Sequence, residues 1–226
     1  MASAAPTFLA ESQTARLPVT GRARPLRLGG TSWSGASRLL LAALLASLLP
    51  AEDYQITPRP GNSLALEVFK TGFLRGKKHL FHFDRYHGKL SYHAPKPESS
   101  QIELVIEAAG AVLKDTWLSP KDFRKVQQHT LDDMLAAGRY PQIRFSSDAI
   151  RPAVRDQYEV TGTLTIRGVS RPAAVQVRVK PGPVFEGAAR VKMTEFGLKP
   201  PTAALGTVGT RDEMTFSFVL LPSPPP

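Results

Sequence analysis

Alternation constrains this chain more than any other feature of it. From Asn62 onward apolar residues recur at every second position. Leu64/Leu66/Val68, Ile102/Leu104/Ile106, Tyr158/Val160/Gly162/Leu164/Ile166, Val175/Val177/Val179 and Met214/Phe216/Phe218/Leu220 are interleaved with polar residues such as Glu67, Glu103, Thr161, Gln176 and Ser217. Successive side chains of a strand face opposite sides, so a period of two describes strands with one buried and one wet face. Eight antiparallel strands are expected, near 62–70, 78–93 (bent at Gly88), 101–110, 142–151, 157–167, 171–180, 184–194 and 212–221. Turn chemistry separates several of them, as at Ala94-Pro95-Lys96-Pro97 and Pro181-Gly182-Pro183.

One segment follows the other period. Ser119-Pro120-Lys121-Asp122 offers a capping hydroxyl, a proline at the first helical position and an acid in the first turn. Phe123, Val126, Thr130, Leu131, Met134 and Leu135 then share one face at helical spacing, and Gly138 is placed to end the run. The expected fold is therefore all-β, with a single amphipathic helix.

Half-buried antiparallel strands are best satisfied by a closed barrel that exposes no edge. At eight strands the interior either fills with side chains or holds one small ligand. Small inward residues (Gly162, Ala189 and Gly187) favour room inside, although glycines also ease curvature.

Residues 1–51 differ from the rest. Four arginines (Arg16, Arg22, Arg24 and Arg27) stand against one acid, Glu11, before Arg38 opens the apolar run Leu39–Leu49. That run is shorter than the about 20 residues a bilayer span needs. A basic flank, a short apolar core and Pro50-Ala51-Glu52 form the layout of a secretory signal, with cleavage expected after Ala51. An uncleaved membrane anchor and an organelle transit peptide are the competing readings. Loss of this leader would remove five Arg and one Glu and lower the formal charge of the 226-residue chain from +10 to +6. Part of the basic balance thus belongs to an address label. The tail at 222–226, Pro-Ser-Pro-Pro-Pro, is expected not to pair in a sheet.

Several chemistries are excluded. With no cysteine, the chain has no disulfide frame, thiolate metal site or cysteine nucleophile. His79, His82, His87 and His93 fall close together, but metal ligands must converge on one point. On a strand His79 and His87 would share the face of Phe81 and Phe83 while His82 lies opposite, so these do not converge and are expected to be structural histidines on a polar strand face, with no metal. Gly72–Lys78 lacks the spacing and hydroxyl of a phosphate loop. No Gly-x-Ser-x-Gly is present, and Ser146-Ser147 has no base near it in sequence, so no catalytic residue is assigned and no enzyme is expected. Nucleic-acid binding would need exposed aromatics among the basic residues, whereas Phe81 and Phe83 point inward. Arg75, Lys77 and Lys78 suit an anionic head group or an acidic membrane surface.

The stretches Arg139-Tyr140-Pro141-Gln142-Ile143-Arg144-Phe145-Ser146-Ser147 and Tyr158-Glu159-Val160-Thr161-Gly162-Thr163-Leu164-Thr165-Ile166-Arg167-Gly168-Val169-Ser170-Arg171-Pro172 resemble the YceI-like family. These are lipocalin-like proteins that bind polyisoprenoids and fatty amphiphiles. The resemblance runs from about Tyr54 to Leu221. It implies a periplasmic or secreted protein whose barrel, residues 52–221, shelters a long apolar lipid. Three places depart from the family pattern: Asn62-Ser63 stands for a His-Ser pair, Lys114–Leu118 for an Arg-Asp-His-Leu-like segment, and Gly197–Thr210 is longer than the usual link.

Burial of a tail of roughly 15 carbons is worth on the order of 12 kcal/mol gross, against association costs of about 4–15 kcal/mol, so an enclosed tunnel is required. Its expected wall is Leu66, Val68, Phe81, Phe83, Ile102, Leu104, Phe145, Val160, Leu164, Val177, Phe216 and Phe218. The competing reading is a filled barrel that binds another protein on its outer face. Gly197–Thr210 is long for a structureless link and is expected to gate one mouth. The partners expected are a long-chain lipid and a membrane surface, with a homodimer left open, no nucleic acid and no cofactor.

Overall fold

The computed structural model describes residues 51–182 and 184–224. The leader, apart from Ala51, lies outside the described residues. Eleven strands form one antiparallel sheet: β1 (Glu52–Ile56), β2 (Ser63–Gly72), β3 (Lys78–Phe83), β4 (Tyr86–Tyr92), β5 (Gln101–Glu107), β6 (Ala111–Leu113), β7 (Gln142–Pro152), β8 (Gln157–Ile166), β9 (Val169–Lys180), β10 (Val184–Lys192) and β11 (Val208–Leu220). Their order is β1-β4-β5-β7-β8-β9-β10-β11-β2-β3-β6.

The expected eight strands are thus corrected to eleven, and the closed barrel to a curled sheet, a half-barrel with ends at β1 and β6. Bends account for most of the difference. The strand expected over 78–93 breaks at Asp84–Arg85, not at Gly88, which sits inside β4 opposite Leu104 and Ile56. Its partner breaks at Ala108–Gly110, where a short 3-10 turn separates β5 from β6. Hydrogen bonds from Asp84 N to Gly110 O (3.2 Å) and from Glu107 N to Arg85 O (3.0 Å) carry the pairing across the bend. β4 then pairs with β1 while β3 pairs with β2, so the two halves of one hairpin serve opposite ends of the sheet.

The bend also changes which side chains face inward. Phe81 and Phe83 are buried before it; Tyr86 and Leu90 are buried after it. His87 is therefore exposed, opposite to the shared face expected for it with His79.

Both ends of the sheet are covered. Gln127 accepts a hydrogen bond from Leu113 N (2.7 Å) and donates to Ala111 O (2.8 Å), standing in for a neighbouring strand along β6. At the other end Gln55 and Ser223 exchange two backbone hydrogen bonds, at 2.7 and 3.0 Å. The expectation that the tail makes no pairing is corrected at Ser223; prolines on either side remove donors, but Ser223 keeps its own.

The helix, α1 (Pro120–His129), starts as its residues dictate: Ser119 Oγ accepts from Asp122 N at 3.1 Å and Pro120 occupies the first turn. It runs on as a π-helical turn (Thr130–Met134). The end differs from expectation, because Ala136 rather than Gly138 takes the left-handed conformation (φ 47°). Arg139 N and Tyr140 N both donate to Ala136 O, which fixes that turn. The β8–β9 hairpin uses Arg167 and Gly168, both at positive φ as a two-residue loop of this hand demands. The Tyr140 ring lies beneath Gly168, where a Cβ would come within 3.1 Å of it.

Candidate functional site: an apolar interior with a polar end

The inward faces of the strands line two neighbouring cavities, each partly open to solvent. The first, about 120 Å³, is walled by apolar side chains with Tyr92, Tyr158 and Ser100 among them. Ile102, Leu104, Phe145, Val160, Leu164, Val177, Phe216 and Phe218 of the expected wall line it, joined by Ile56, Leu64, Val175, Phe185 and Ala189. The second, about 670 Å³, lies between the sheet, α1 and the segment 198–203. Leu66, Val68 and Phe81, also expected in the wall, line this one. Phe83 borders neither; it is buried and stacked on Phe216, ring centres 6.4 Å apart.

The two cavities meet along one row. On β2 the inward residues run Leu64, Leu66, Val68, Lys70; opposite them on β11 stand Phe218, Phe216, Met214 and Thr210. Leu64, Phe216 and Phe218 belong to the first cavity, Leu66, Val68, Lys70, Met214 and Thr210 to the second. Leu66 of the second cavity and Phe216 of the first are register partners, with the Phe83 ring stacked on Phe216 beside them.

Gly162 and Gly187 do not add to this space. Phenylalanine rings cover both: a Cβ on Gly162 would lie 2.8 Å from the Phe145 ring and 2.3 Å from Ser146 O, and one on Gly187 2.6 Å from the Phe218 ring and 2.4 Å from Gln176 O. Glycine is needed so that an aromatic ring can lie flat across the sheet. The expectation that these glycines leave room is corrected accordingly.

The second cavity carries the polar groups. Lys70 is 8% exposed, and its Nζ donates to Thr210 Oγ1 at 3.1 Å. Burial pushes its pKa below the usual lysine range, partly opposed by the Asp115 charge. His79 Nδ1 lies 2.6 Å from Asp115 Oδ2, whose side chain is 1% exposed and also accepts from Leu80 N at 2.9 Å. Burial lowers the His79 pKa despite the hydrogen bond and charge of Asp115, and Lys70 lowers it further. The neutral ring thus donates its Nδ1–H to the carboxylate and presents Nε2 as an acceptor. Trp117 stacks on His79 (5.5 Å between ring centres) and donates its indole N–H to Lys78 O at 3.1 Å. His79 is therefore a cavity residue, not one on a polar outer face.

Gly197–Thr210 does not border the apolar cavity. Leu198, Pro201, Thr202, Ala203, Val208 and Thr210 close over the second one. The segment is short of structureless: Ala203 and Val208 pair across a tight turn, and its last residues already belong to β11.

A curled antiparallel sheet wrapped round an apolar interior, with one helix and one loop across an end, defines a lipocalin-like architecture. Residues 55–220 match the YceI-like domain, and the chain belongs to the YceI-like family. A UPF0312 protein of Pseudomonas savastanoi pv. phaseolicola is 27% identical over 134 residues, covering 53% of this chain and 63% of that relative. A UPF0312 protein of Ectopseudomonas mendocina is 25% identical over 196 residues, 81% of this chain and 94% of the relative. Among solved structures, Burkholderia cenocepacia BcnA superposes with a TM-score of 0.57 at 23% identity, over 70% of this chain and 94% of that one. That likeness supports the fold.

Sequence reasoning missed Lys70, the His79–Asp115 pair and Trp117. A signal was there for the first: the row Leu64-Leu66-Val68 continues to Lys70 without changing phase. For Asp115 there was none, since its partner lies 36 residues away and α1 is needed to close the space above it.

Proposed function

We propose that this protein binds one long-chain lipid, a polyisoprenoid or a fatty amphiphile, within the curled sheet, and sequesters or ferries it outside the cytoplasm without catalysing a reaction. The observation that carries this reading is the pair of abutting cavities along one row of inward side chains. Family membership supports it, and the basic flank and short apolar run before Ala51 support export.

Size decides how a guest would lie. An engineered apolar cavity of roughly 150 Å³ takes a molecule such as benzene, so the first cavity alone is too small for a long tail. From Lys70 to Leu64 the row spans about 20 Å at 3.3 Å per residue. A tail lying along it passes the Phe83–Phe216 stack and enters the first cavity once those rings rotate. The second cavity then holds the polar end.

Native mass spectrometry of protein purified from its source tests this. A co-purifying apolar mass, released by delipidation and restored by added hexadecanol, is the expected result. A protein that is always empty and takes up no added long-chain compound would overturn the proposal and favour a module that works through its outer face.

A further inference from the structure

A cation buried beside a cavity of about 670 Å³ with no carboxylate in direct contact is costly. Lys70 is in that position. Its ammonium has three donors, and the neutral hydroxyl of Thr210 meets one. Among the described residues no carboxylate lies within ion-pair distance of it. The nearby acids are engaged elsewhere: Asp115 by His79 and the Leu80 amide, and Asp122 by Ser119 Oγ at 2.7 Å on the exposed start of α1. Lys125 borders the same cavity and adds a second cation, and His79 and Trp117 line it as well. Below Lys70 the wall turns apolar at Val68, Leu66 and Met214.

We propose that Lys70 anchors the anionic head group, a carboxylate or a phosphate monoester, of the bound lipid, the tail running from it toward Leu64; this rests on the lipid-binding reading above. An anion there would supply the direct ion pair that Asp115, acting only from beyond ion-pair distance, does not, which explains why a lysine is kept in an otherwise apolar row.

The test titrates the delipidated full chain with palmitate, hexadecyl phosphate and hexadecanol, which share one tail length. Wild-type protein should bind at least one of the two anions about tenfold or more tighter than the alcohol. Lys70→Met should erase that preference while holding hexadecanol as before, and it removes a buried charge, so its melting temperature should not fall. An equal affinity of the wild type for all three, or a preference unchanged in Lys70→Met, overturns the head-group assignment alone. Failure of all three to bind overturns the lipid reading with it.

A separate observation concerns the outside of the same end. Phe73 is 90% and Leu205 is 106% exposed, and they sit on two loops tied together by Phe73 N donating to Thr207 O at 3.2 Å. Gly72 (φ 66°) permits that approach, since a Cβ there would fall 2.0 Å from Thr207 O. The turn between β2 and β3 carries Arg75 and Lys77 with no acid between Gly72 and Lys78, and Leu74 and Ala203 of these loops, with Val208 at the start of β11, line the second cavity. We infer that this rim docks on an anionic bilayer surface, apolar tips inserted and cations against the head groups. Phosphatidylcholine vesicles with and without phosphatidylglycerol test it by co-sedimentation. Salt-sensitive binding to the anionic vesicles is expected, reduced about tenfold or more in the Phe73→Ser/Leu205→Ser double variant. No binding by the wild type, or equal binding by both proteins, overturns the inference.

Discussion

Filling the first cavity should stabilise the fold and expel the tail together. Ala189 on β10 borders that cavity between its register partners Val175 and Phe216. Ala189→Leu adds three carbons, worth about 2.4 kcal/mol if they enter existing space. The void sets a ceiling: at about 24 cal/mol per Å³, its 120 Å³ corresponds to about 3 kcal/mol. For a domain of this size each kcal/mol moves the melting temperature by roughly 2–4 °C, so a rise of roughly 5–10 °C is expected. Thermal unfolding followed by circular dichroism measures it on lipid-free protein. In parallel, hexadecanol titration should show weaker binding, because the added side chain occupies the space of the tail. A lower melting temperature, the sign of overpacking at a cost of about 1–3 kcal/mol, would refute the claim of usable space beside Ala189.

Gly162→Ala should act in the opposite sense, destabilising by about 1–3 kcal/mol, because its Cβ would sit 2.3 Å from a backbone carbonyl that cannot yield as a side chain can; chemical denaturation would show it. Gln127→Ala leaves an amide and a carbonyl on the β6 edge without their partner, at about 1–3 kcal/mol, and hydrogen exchange at the Leu113 amide should speed up markedly while β8 and β9 are unaffected. The lowered His79 pKa has a definite sign: the unfolded chain takes up a proton near pH 6.5 and the folded chain only at lower pH, so stability is fully present above 6.5 and falls as pH drops through the folded value. Denaturation midpoints from pH 7.5 to 5 should show that loss in the wild type and a flatter profile in His79→Gln.

The fold was legible where burial is one-sided. Leu64-Leu66-Val68 and Tyr158–Ile166 alternate because each strand has a single dry face, and Ser119-Pro120-x-Asp122 marks a helix start through donors that any helix leaves unmet. Bends were not legible. Asp84–Arg85 carries no glycine or proline, and the break there arises from the switch of partner from β2 to β1, a fact of pairing across the sheet. His87 lost its expected face for the same reason, since the bend shifts the alternation by one residue, from Phe81 and Phe83 to Tyr86 and Leu90, and a shift of one reverses every side chain beyond it.

Local order and chemistry are thus written along the chain: which segments extend, which one coils, which side chains must be dry, and that a lysine shares their face. Tertiary structure alone decided that Phe145 and Phe218 spend the room above two glycines, that Phe83 stacks on Phe216 in the interior, and that His79 meets Asp115 beneath α1. Periodicity is a property of neighbours in sequence. Enclosed volume and charge pairing depend on segments brought together from across the chain, so no local pattern encodes them.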